Sequence, residues 1–188
     1  FFLPELWPSY FKKSKGCHIW DLDNKKYIDM ALMGVGTNIL GYSFNPVDNA
    51  VISSIRDGNM SSLNCKEEVL LAEKLIEMNK WSGMVKFAKT GDEASSIAVR
   101  IARSYSGKDN IAICGYHGWH DWYLASNLKN KESLNSHLLK GLYTSGVPKK
   151  LKNTVFSFNY NDFDQLTKII KKHNIGTIKM EVMRNINP

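Results

Sequence analysis

The first 45 residues of the chain show a short hairpin pattern followed by an irregular stretch. Apolar and polar positions alternate in part over residues 18–23, and a second short run follows at residues 27–29. Two such runs with polar residues between them predict a β-hairpin, with its turn at residues 23 and 24. Residues 31–45 are rich in Gly and Asn, so we expect irregular structure there.

Two helices are predicted next. Pro46 can occupy a first helical turn, and the helix that it starts should end near Gly58. Asn64 and Glu67 have the spacing of an N-terminal capping box, which predicts a second helix that ends near Asn79.

The clearest helical pattern of the chain follows a short strand predicted over residues 84–88. Apolar or small residues recur with a period near 3.6 from Ala94 to Tyr105, and Gly107 ends the pattern. The small side chains on this stripe would let the helix lie close against a sheet.

The second half of the chain alternates between predicted strands and helices. Residues 111–114 form a continuous apolar strand, as a sheet buried on both faces requires. After a long polar loop over residues 115–150, strands are predicted at 155–158 and 175–182. The helix between them should turn four apolar residues inward: Phe163, Leu166, Ile169 and Ile170. This alternation predicts an α/β fold with a mostly parallel sheet flanked by helices.

Length and composition are those of an ordinary folded protein. The chain has 188 residues, of which 43% are apolar and 23% charged. We divide it into a hairpin and helix segment, residues 1–60, and an α/β part, residues 61–188. No apolar run approaches the roughly 20 residues that cross a bilayer, and no signal peptide is visible, so no membrane partner is expected. Three widely spaced cysteines favour reduced thiols and a cytoplasmic location.

The net charge of +7 is concentrated at one end. Residues 129–188 hold 11 Lys and Arg against 4 Asp and Glu, whereas the rest of the chain is balanced. A nucleic-acid surface would use such an excess, but only four residues of the chain are Arg. The pattern favours a solvated helix face over nucleic-acid binding, and an RNA-binding protein remains an alternative that salt dependence would test.

The start of the clearest helix is a candidate anion site. Spare amides at a helix start and the helix dipole favour a phosphate, and Gly91 would let it approach the backbone. Thr90 and Glu93 also have the spacing of a capping box, which needs no ligand. Asp92 would repel a phosphate unless its side chain turned away. From spacing alone both interpretations remain open.

A cluster of rings follows the strand at residues 111–114. In open α/β sheets, ligands collect at this edge, where Tyr116 could stack on a planar heterocycle and His117 could position a substrate. Alternatively, the rings only cover the end of the sheet. His117, His120 and Asp121 offer three kinds of metal ligand, but His-x-x-His outside a helix is a weak signal, so we expect no metal site.

Together these motifs resemble the class III aminotransferases, pyridoxal-phosphate enzymes that include glutamate-1-semialdehyde aminomutase. The segment with Thr90, Gly91 and Asp92 is similar to the family's serine-glycine-threonine-glutamate-alanine motif, and Tyr116-His117-Gly118 to its aromatic-histidine-glycine motif. Four further segments match in order along the chain: residues 16–29, 39–42, 100–103 and 180–182.

The resemblance implies a fold type I pyridoxal-phosphate transferase, with residues 61–188 forming part of its cofactor-binding large domain. Thr90, Gly91 and Asp92 would lie at the cofactor phosphate, and Tyr116 would cover one face of the ring. His117 belongs to the same ring-side motif, and Glu181 would support the network at the ring nitrogen. A small amino or oxo substrate and a homodimer are implied as partners.

Two departures from the family pattern limit these expectations. Asp92 stands where the family has a hydroxyl residue, so a side-chain bond to phosphate is lost while the amide remains. In the family the lysine of the Schiff base lies further along, and no lysine here sits in a matching motif, so we predict no catalytic nucleophile. We therefore expect the chain alone to be inactive, without Schiff-base absorbance. A non-catalytic or split subunit completed by another chain is the alternative.

Overall fold

A computed structural model describes residues 7–58, 60–137 and 139–182. The chain divides into two units, Phe1–Val85 and Lys86–Pro188, which we describe separately. The predicted division after residue 60 stays a prediction about the domains of the whole protein. In the described ranges, no helix has both the length and the apolar character needed to cross a bilayer.

The first unit begins with a small antiparallel sheet. Its strands lie in the order β1, β2, β3, with bounds Phe11–Lys15, His18–Asp21 and Lys26–Ile28. The predicted hairpin is confirmed as β2 and β3, whereas β1 was not predicted. Asp21 holds the turn, because its carboxylate accepts hydrogen bonds from Lys25 N at 2.9 Å and from Tyr27 Oη at 2.7 Å.

Two helices complete this unit, α1 over Asn45–Asp57 and α2 over Lys66–Met78. Pro46 lies in the first turn of α1 and Gly58 follows its last residue, as predicted. Asn79 ends α2, also as predicted. No residue of either helix is buried.

The predicted capping box at the start of α2 is wrong. Cys65, one residue after Asn64, is the N-cap, and its side chain makes no capping bond. Its thiol instead donates to Oε2 of Glu67 at 2.7 Å. This pairing occupies the carboxylate that the predicted box would have used.

The strand predicted over residues 84–88 is also wrong. The segment has no regular secondary structure and pairs with no strand in the described part of the chain. A strand is defined by the partner that takes its backbone hydrogen bonds, and residues 7–58, 60–137 and 139–182 supply no such partner.

The second unit is built on a parallel sheet whose strands lie in the order β5, β4, β6. Their bounds are Asn110–Cys114 for β4, Val155–Ser157 for β5 and Ile175–Met180 for β6. The central strand is buried along its apolar residues, which confirms the sequence expectation. Strand β6 ends two residues earlier than predicted.

Two long helices accompany this sheet. Helix α3 runs over Gly91–Ser106 and ends at Gly107, as predicted. A later helix runs over Phe163–Lys172, with Leu166 and Ile169 packed against the core. Phe163 was predicted to point inward but is 77% exposed, because it occupies the first helical position, before the turn that packs.

Two further corrections concern apolar residues and the predicted loop. Ile170, predicted inward, is 45% exposed at the flank of the packed stripe. Residues 115–150 are not a plain loop, since a short helix, α4, covers Asp121–Leu124 and continues as a 3₁₀ turn over Ala125–Leu128. The apolar side chains of α4 are buried, so this segment supplies part of the core. The helix over Phe163–Lys172 follows α4 in the chain and is therefore called α5.

Candidate functional site

The start of α3 is closed by a complete capping box. Oγ1 of Thr90 accepts a hydrogen bond from Glu93 N at 3.1 Å. Oε2 of Glu93 accepts from Thr90 N at 3.2 Å and from Lys89 N at 2.9 Å. The side chain of Thr90 therefore fixes the helix start.

The capping box leaves two amides of the first turn unused. Within the described residues, the N–H groups of Gly91 and Asp92 donate no hydrogen bond. Gly91 has ordinary backbone angles, and a Cβ built there meets no atom within 4 Å. Packing against the described residues therefore does not require a glycine at this position, whereas the close approach of an anion to the backbone would.

The carboxylate of Asp92 faces the segment that follows β4. Its Oδ2 accepts a hydrogen bond from Trp119 N at 3.3 Å and lies 4.0 Å from Nε2 of His120. Gly118 lies so close that an added Cβ would overlap this carboxylate, and its φ of 92° also favours glycine. The acidic side chain is therefore held by the neighbouring loop.

Ser96, one turn into α3, connects the same loop to the helix. Its Oγ lies 2.6 Å from Nδ1 of His120 and accepts from Nε1 of Trp122 at 3.0 Å. The hydroxyl donates to the backbone oxygen of Asp92 at 2.9 Å. Ser96 was not predicted as a site residue, because nothing in its sequence context distinguishes it from other small residues of the helix.

These groups border an open depression of about 1050 Å³. Its lining includes the helix start and the loop that faces it: Thr90, Asp92, Glu93, Ser96, Trp119, His120, Asp121, Trp122 and Leu151. This volume slightly exceeds the roughly 300–1,000 Å³ that is usual for small-molecule sites. It therefore offers space for a ligand next to the helix start.

Tyr116 lies at the carboxyl end of β4, partly buried. Its ring meets the ring of Tyr123 edge to face, with centroids 5.9 Å apart and an interplanar angle of 85°. Burial raises the pKa of Tyr116, and the charge of Asp92 adds to the increase. The phenol is therefore neutral at ordinary pH.

His117 is buried and bonded at both ring nitrogens. Nε2 lies 2.9 Å from the backbone oxygen of Cys114, so Nε2 carries the proton, and Nδ1 accepts from Nζ of Lys179 at 3.2 Å. Burial, with the charge of Lys179 as the second cause, lowers the pKa of His117 to about 4. Burial also lowers the pKa of Lys179. His117 is a neutral imidazole in one fixed tautomer.

Glu181 follows the last residue of β6, at the carboxyl edge of the sheet. Its backbone N–H donates to Cys114 O at 3.2 Å, and its side chain lies against Gly115. An added Cβ at Gly115 would lie 2.6 Å from the Glu181 carboxyl carbon, and the φ of 101° also favours glycine there.

The structure thus places the predicted site residues at the same edge of the second unit. Asp92, which follows Thr90 and Gly91, accepts a hydrogen bond from Trp119 in the loop that begins with Tyr116 and His117. Glu181 lies beside Gly115, the residue before this loop motif. Lys179 was missed as a partner of His117, although a lysine within an apolar strand was a usable signal. In the described ranges, no three His, Cys, Asp or Glu side chains converge as metal ligands.

Comparison with known proteins places the sequence within one family. The family described as aminotransferase class-III matches residues 5–181. A 3-aminobutyryl-CoA aminotransferase from Cloacimonas acidaminovorans is 37% identical over 90% of this chain and 37% of its own length. A glutamate-1-semialdehyde 2,1-aminomutase from Methanobrevibacter smithii is 32% identical over 95% of this chain and 41% of its own length.

Solved structures give the same fold. An omega-transaminase from Sphaerobacter thermophilus superposes with a TM-score of 0.79 at 26% identity, covering 94% of this chain and 41% of that protein. A transaminase with PLP bound superposes with a TM-score of 0.79 at 25% identity, covering 94% and 41%. The predicted fold type I is confirmed. The chain spans about two fifths of the length of the relatives that it matches.

Proposed function

Because the chain belongs to the class III aminotransferase family, we propose that the full-length protein is a pyridoxal-phosphate-dependent aminotransferase or aminomutase. It would exchange amino and oxo groups on a small substrate. Similar proteins named as an aminotransferase and as aminomutases support both forms of the reaction. The prediction that the chain alone is inactive stays a prediction.

The observation that carries this proposal is the pair of unused amides at the start of α3. The N–H groups of Gly91 and Asp92 would bind the cofactor phosphate, since they are the first-turn donors that the capping box leaves over. Thr90 would act by fixing the helix start, because its side chain is committed to Glu93 N. The residues present therefore fit a phosphate bound through the backbone.

The other predicted residues would hold the ring. Tyr116 would cover one ring face, and its packing on Tyr123 fixes the orientation of the phenol. His117 would hold the turn after β4 in place, and Glu181 would support the network at the ring nitrogen. When bound, the cofactor supplies an electron sink for the substrate, while these residues bind and orient it.

Substitution of Gly91 tests the phosphate assignment. In the full-length protein, Gly91→Leu should weaken binding of pyridoxamine 5′-phosphate by at least about tenfold, because the side chain would block the backbone donors. Titration calorimetry with this ligand avoids covalent bonding to lysine, since the ligand has no aldehyde. Gly83→Leu is the matched control, because Gly83 also has ordinary backbone angles and open space at Cβ.

If a folded Gly91→Leu variant binds pyridoxamine 5′-phosphate as tightly as the wild type, the phosphate does not bind at the start of α3. Tight binding by the wild-type protein without transamination of any amino donor would favour the non-catalytic alternative.

We also propose a homodimer in the cytoplasm. The dimer is implied by the family resemblance, and light scattering of the full-length protein would test it. The location is supported by the three cysteines, none of which forms a disulfide in the described chain. A monomeric full-length protein would contradict the homodimer. Secretion of the protein into an oxidising compartment would contradict the cytoplasmic location.

A further inference from the structure

An acidic residue in the phosphate-binding turn needs an explanation. If the phosphate is bound as proposed above, its charge lies close to Asp92, and two negative charges at this distance repel each other. The carboxylate is about one quarter exposed, so solvent reduces this repulsion without removing it. The inference below rests on the proposed function and concerns how the site tolerates Asp92.

The hydrogen bonds of Ser96 determine which ring nitrogen of His120 carries a proton. A hydroxyl has one proton to donate, and that of Ser96 goes to the backbone oxygen of Asp92. The Ser96 oxygen therefore accepts from Nε1 of Trp122 and from Nδ1 of His120. With Nδ1 protonated, a second proton on Nε2 would face Oδ2 of Asp92 across 4.0 Å.

No other basic group competes for this role at the described lining of the depression. Its acidic side chains are Asp92, Glu93 and Asp121, and His120 is its one basic side chain. Glu93 is already committed to the amides of the capping box. The amide of Trp119 also donates to Asp92, so the loop after β4 directs both a dipole and an imidazole at the same carboxylate.

We propose that His120 is a positioning residue that offsets the negative charge of Asp92, and so allows an acidic residue to occupy the phosphate-binding turn. His120 does not touch the phosphate in this arrangement. It acts through Asp92, whose carboxylate it holds toward the loop together with Trp119 N.

The test compares ligands with and without a phosphate on the full-length protein. Dissociation constants of pyridoxamine 5′-phosphate and pyridoxamine are measured by titration calorimetry for the wild type and for His120→Gln. We expect His120→Gln to weaken the phosphorylated ligand by roughly threefold to tenfold, as for charge pairs at partly exposed sites, and to leave pyridoxamine unchanged.

Three further variants separate charge from folding. Asp92→Asn keeps an acceptor for Trp119 N and removes the charge, so it should tighten the phosphorylated ligand, a gain that misfolding does not produce. In the Asp92→Asn background, His120→Gln should change the affinity for pyridoxamine 5′-phosphate only slightly. Asp121→Asn removes a carboxylate from the next residue and should reproduce neither change.

Two results would overturn the inference. One is an equal loss of affinity for both ligands in His120→Gln. The other is that His120→Gln weakens the phosphorylated ligand as much in the Asp92→Asn background as in the wild type. The proposed function has its own readout in the same data, because a wild-type protein without preference for the phosphorylated ligand would contradict the phosphate site itself.

Discussion

Lys179 donates a hydrogen bond from its Nζ to Nδ1 of His117 at 3.2 Å, although the two residues are 62 positions apart in the chain. The bond joins β6 to the loop after β4. It requires a neutral imidazole, because only an unprotonated Nδ1 can accept it. The burial of His117 and the partial burial of Lys179 favour the neutral forms of both side chains and lower both pKa values.

The low pKa of His117 predicts a loss of stability in mild acid. Burial first, and Lys179 second, lower this pKa from 6.5 to about 4 in the folded protein. Between these values the unfolded chain binds the proton and the folded protein does not, so the free energy of unfolding falls as pH falls from 6.5 to 4. The full loss from this group is about 3 kcal/mol, since one pKa unit corresponds to about 1.4 kcal/mol.

Urea denaturation of the full-length protein at a series of pH values measures this effect. His117→Gln should remove the part of the pH dependence between pH 6.5 and 4. Lys179→Met should raise the pKa of His117, followed by NMR, because it removes the second cause of the depression. A His117 resonance that titrates near 6.5 in the folded wild type would contradict the prediction.

Gly118 and Asp92 are expected to be energetically coupled. Gly118→Ala should reduce the free energy of unfolding by about 1–3 kcal/mol, through backbone strain at φ 92° and overlap with the Asp92 carboxylate. In an Asp92→Ala background the overlap is gone, so the loss should shrink by about 1 kcal/mol while the backbone strain stays.

Gly146→Ala provides the matched control for strain alone. Gly146 has a φ of 88°, and a Cβ there would meet no atom within 4 Å. Its substitution should cost stability to the same extent with Asp or Ala at position 92. Strict additivity of Gly118→Ala and Asp92→Ala would show that the two positions are independent.

The buried hydroxyl of Tyr123 should contribute measurably to stability. It donates to the backbone oxygen of Gly115 at 3.0 Å, and the residue is fully buried. Tyr123→Phe leaves that oxygen without this donor and should lower the free energy of unfolding by about 1–3 kcal/mol. The control is Tyr143→Phe, because Tyr143 is 85% exposed and its change should have little effect. Equal effects of the two substitutions would contradict the prediction.

Local patterns predicted much of the fold. The 3.6-residue period predicted α3, Gly107 marked its end, and the apolar run predicted β4, because each element is specified within its own sequence. The segment at residues 84–88 has a strand-like sequence but pairs with no strand in the part of the chain that the structure describes. A local pattern cannot predict whether a pairing partner is present. Helix α4 was missed because its four residues are too short for a periodic signal.

The candidate site divides in the same way. The capping box of Thr90 and Glu93 lies within four residues and was predictable. The contact of Asp92 with Trp119 spans 27 residues and depends on how the loop folds back, so the sequence could not predict it. The sequence indicated only that the charge of Asp92 would repel a phosphate. The resemblance to class III aminotransferases, which rested on several linked motifs, is confirmed by the family match.

The two open amides at the start of α3 have a consequence for how such a site can diverge. Every residue except proline carries a backbone N–H, so a substitution other than one to proline blocks this donor only when the new side chain fills the space above it. If the phosphate is bound as proposed, position 92 can therefore change between hydroxyl and carboxyl residues while the phosphate keeps its backbone donors. Drift toward Asp should favour a basic residue at position 120, so among descendants of one ancestor these two positions are expected to change together.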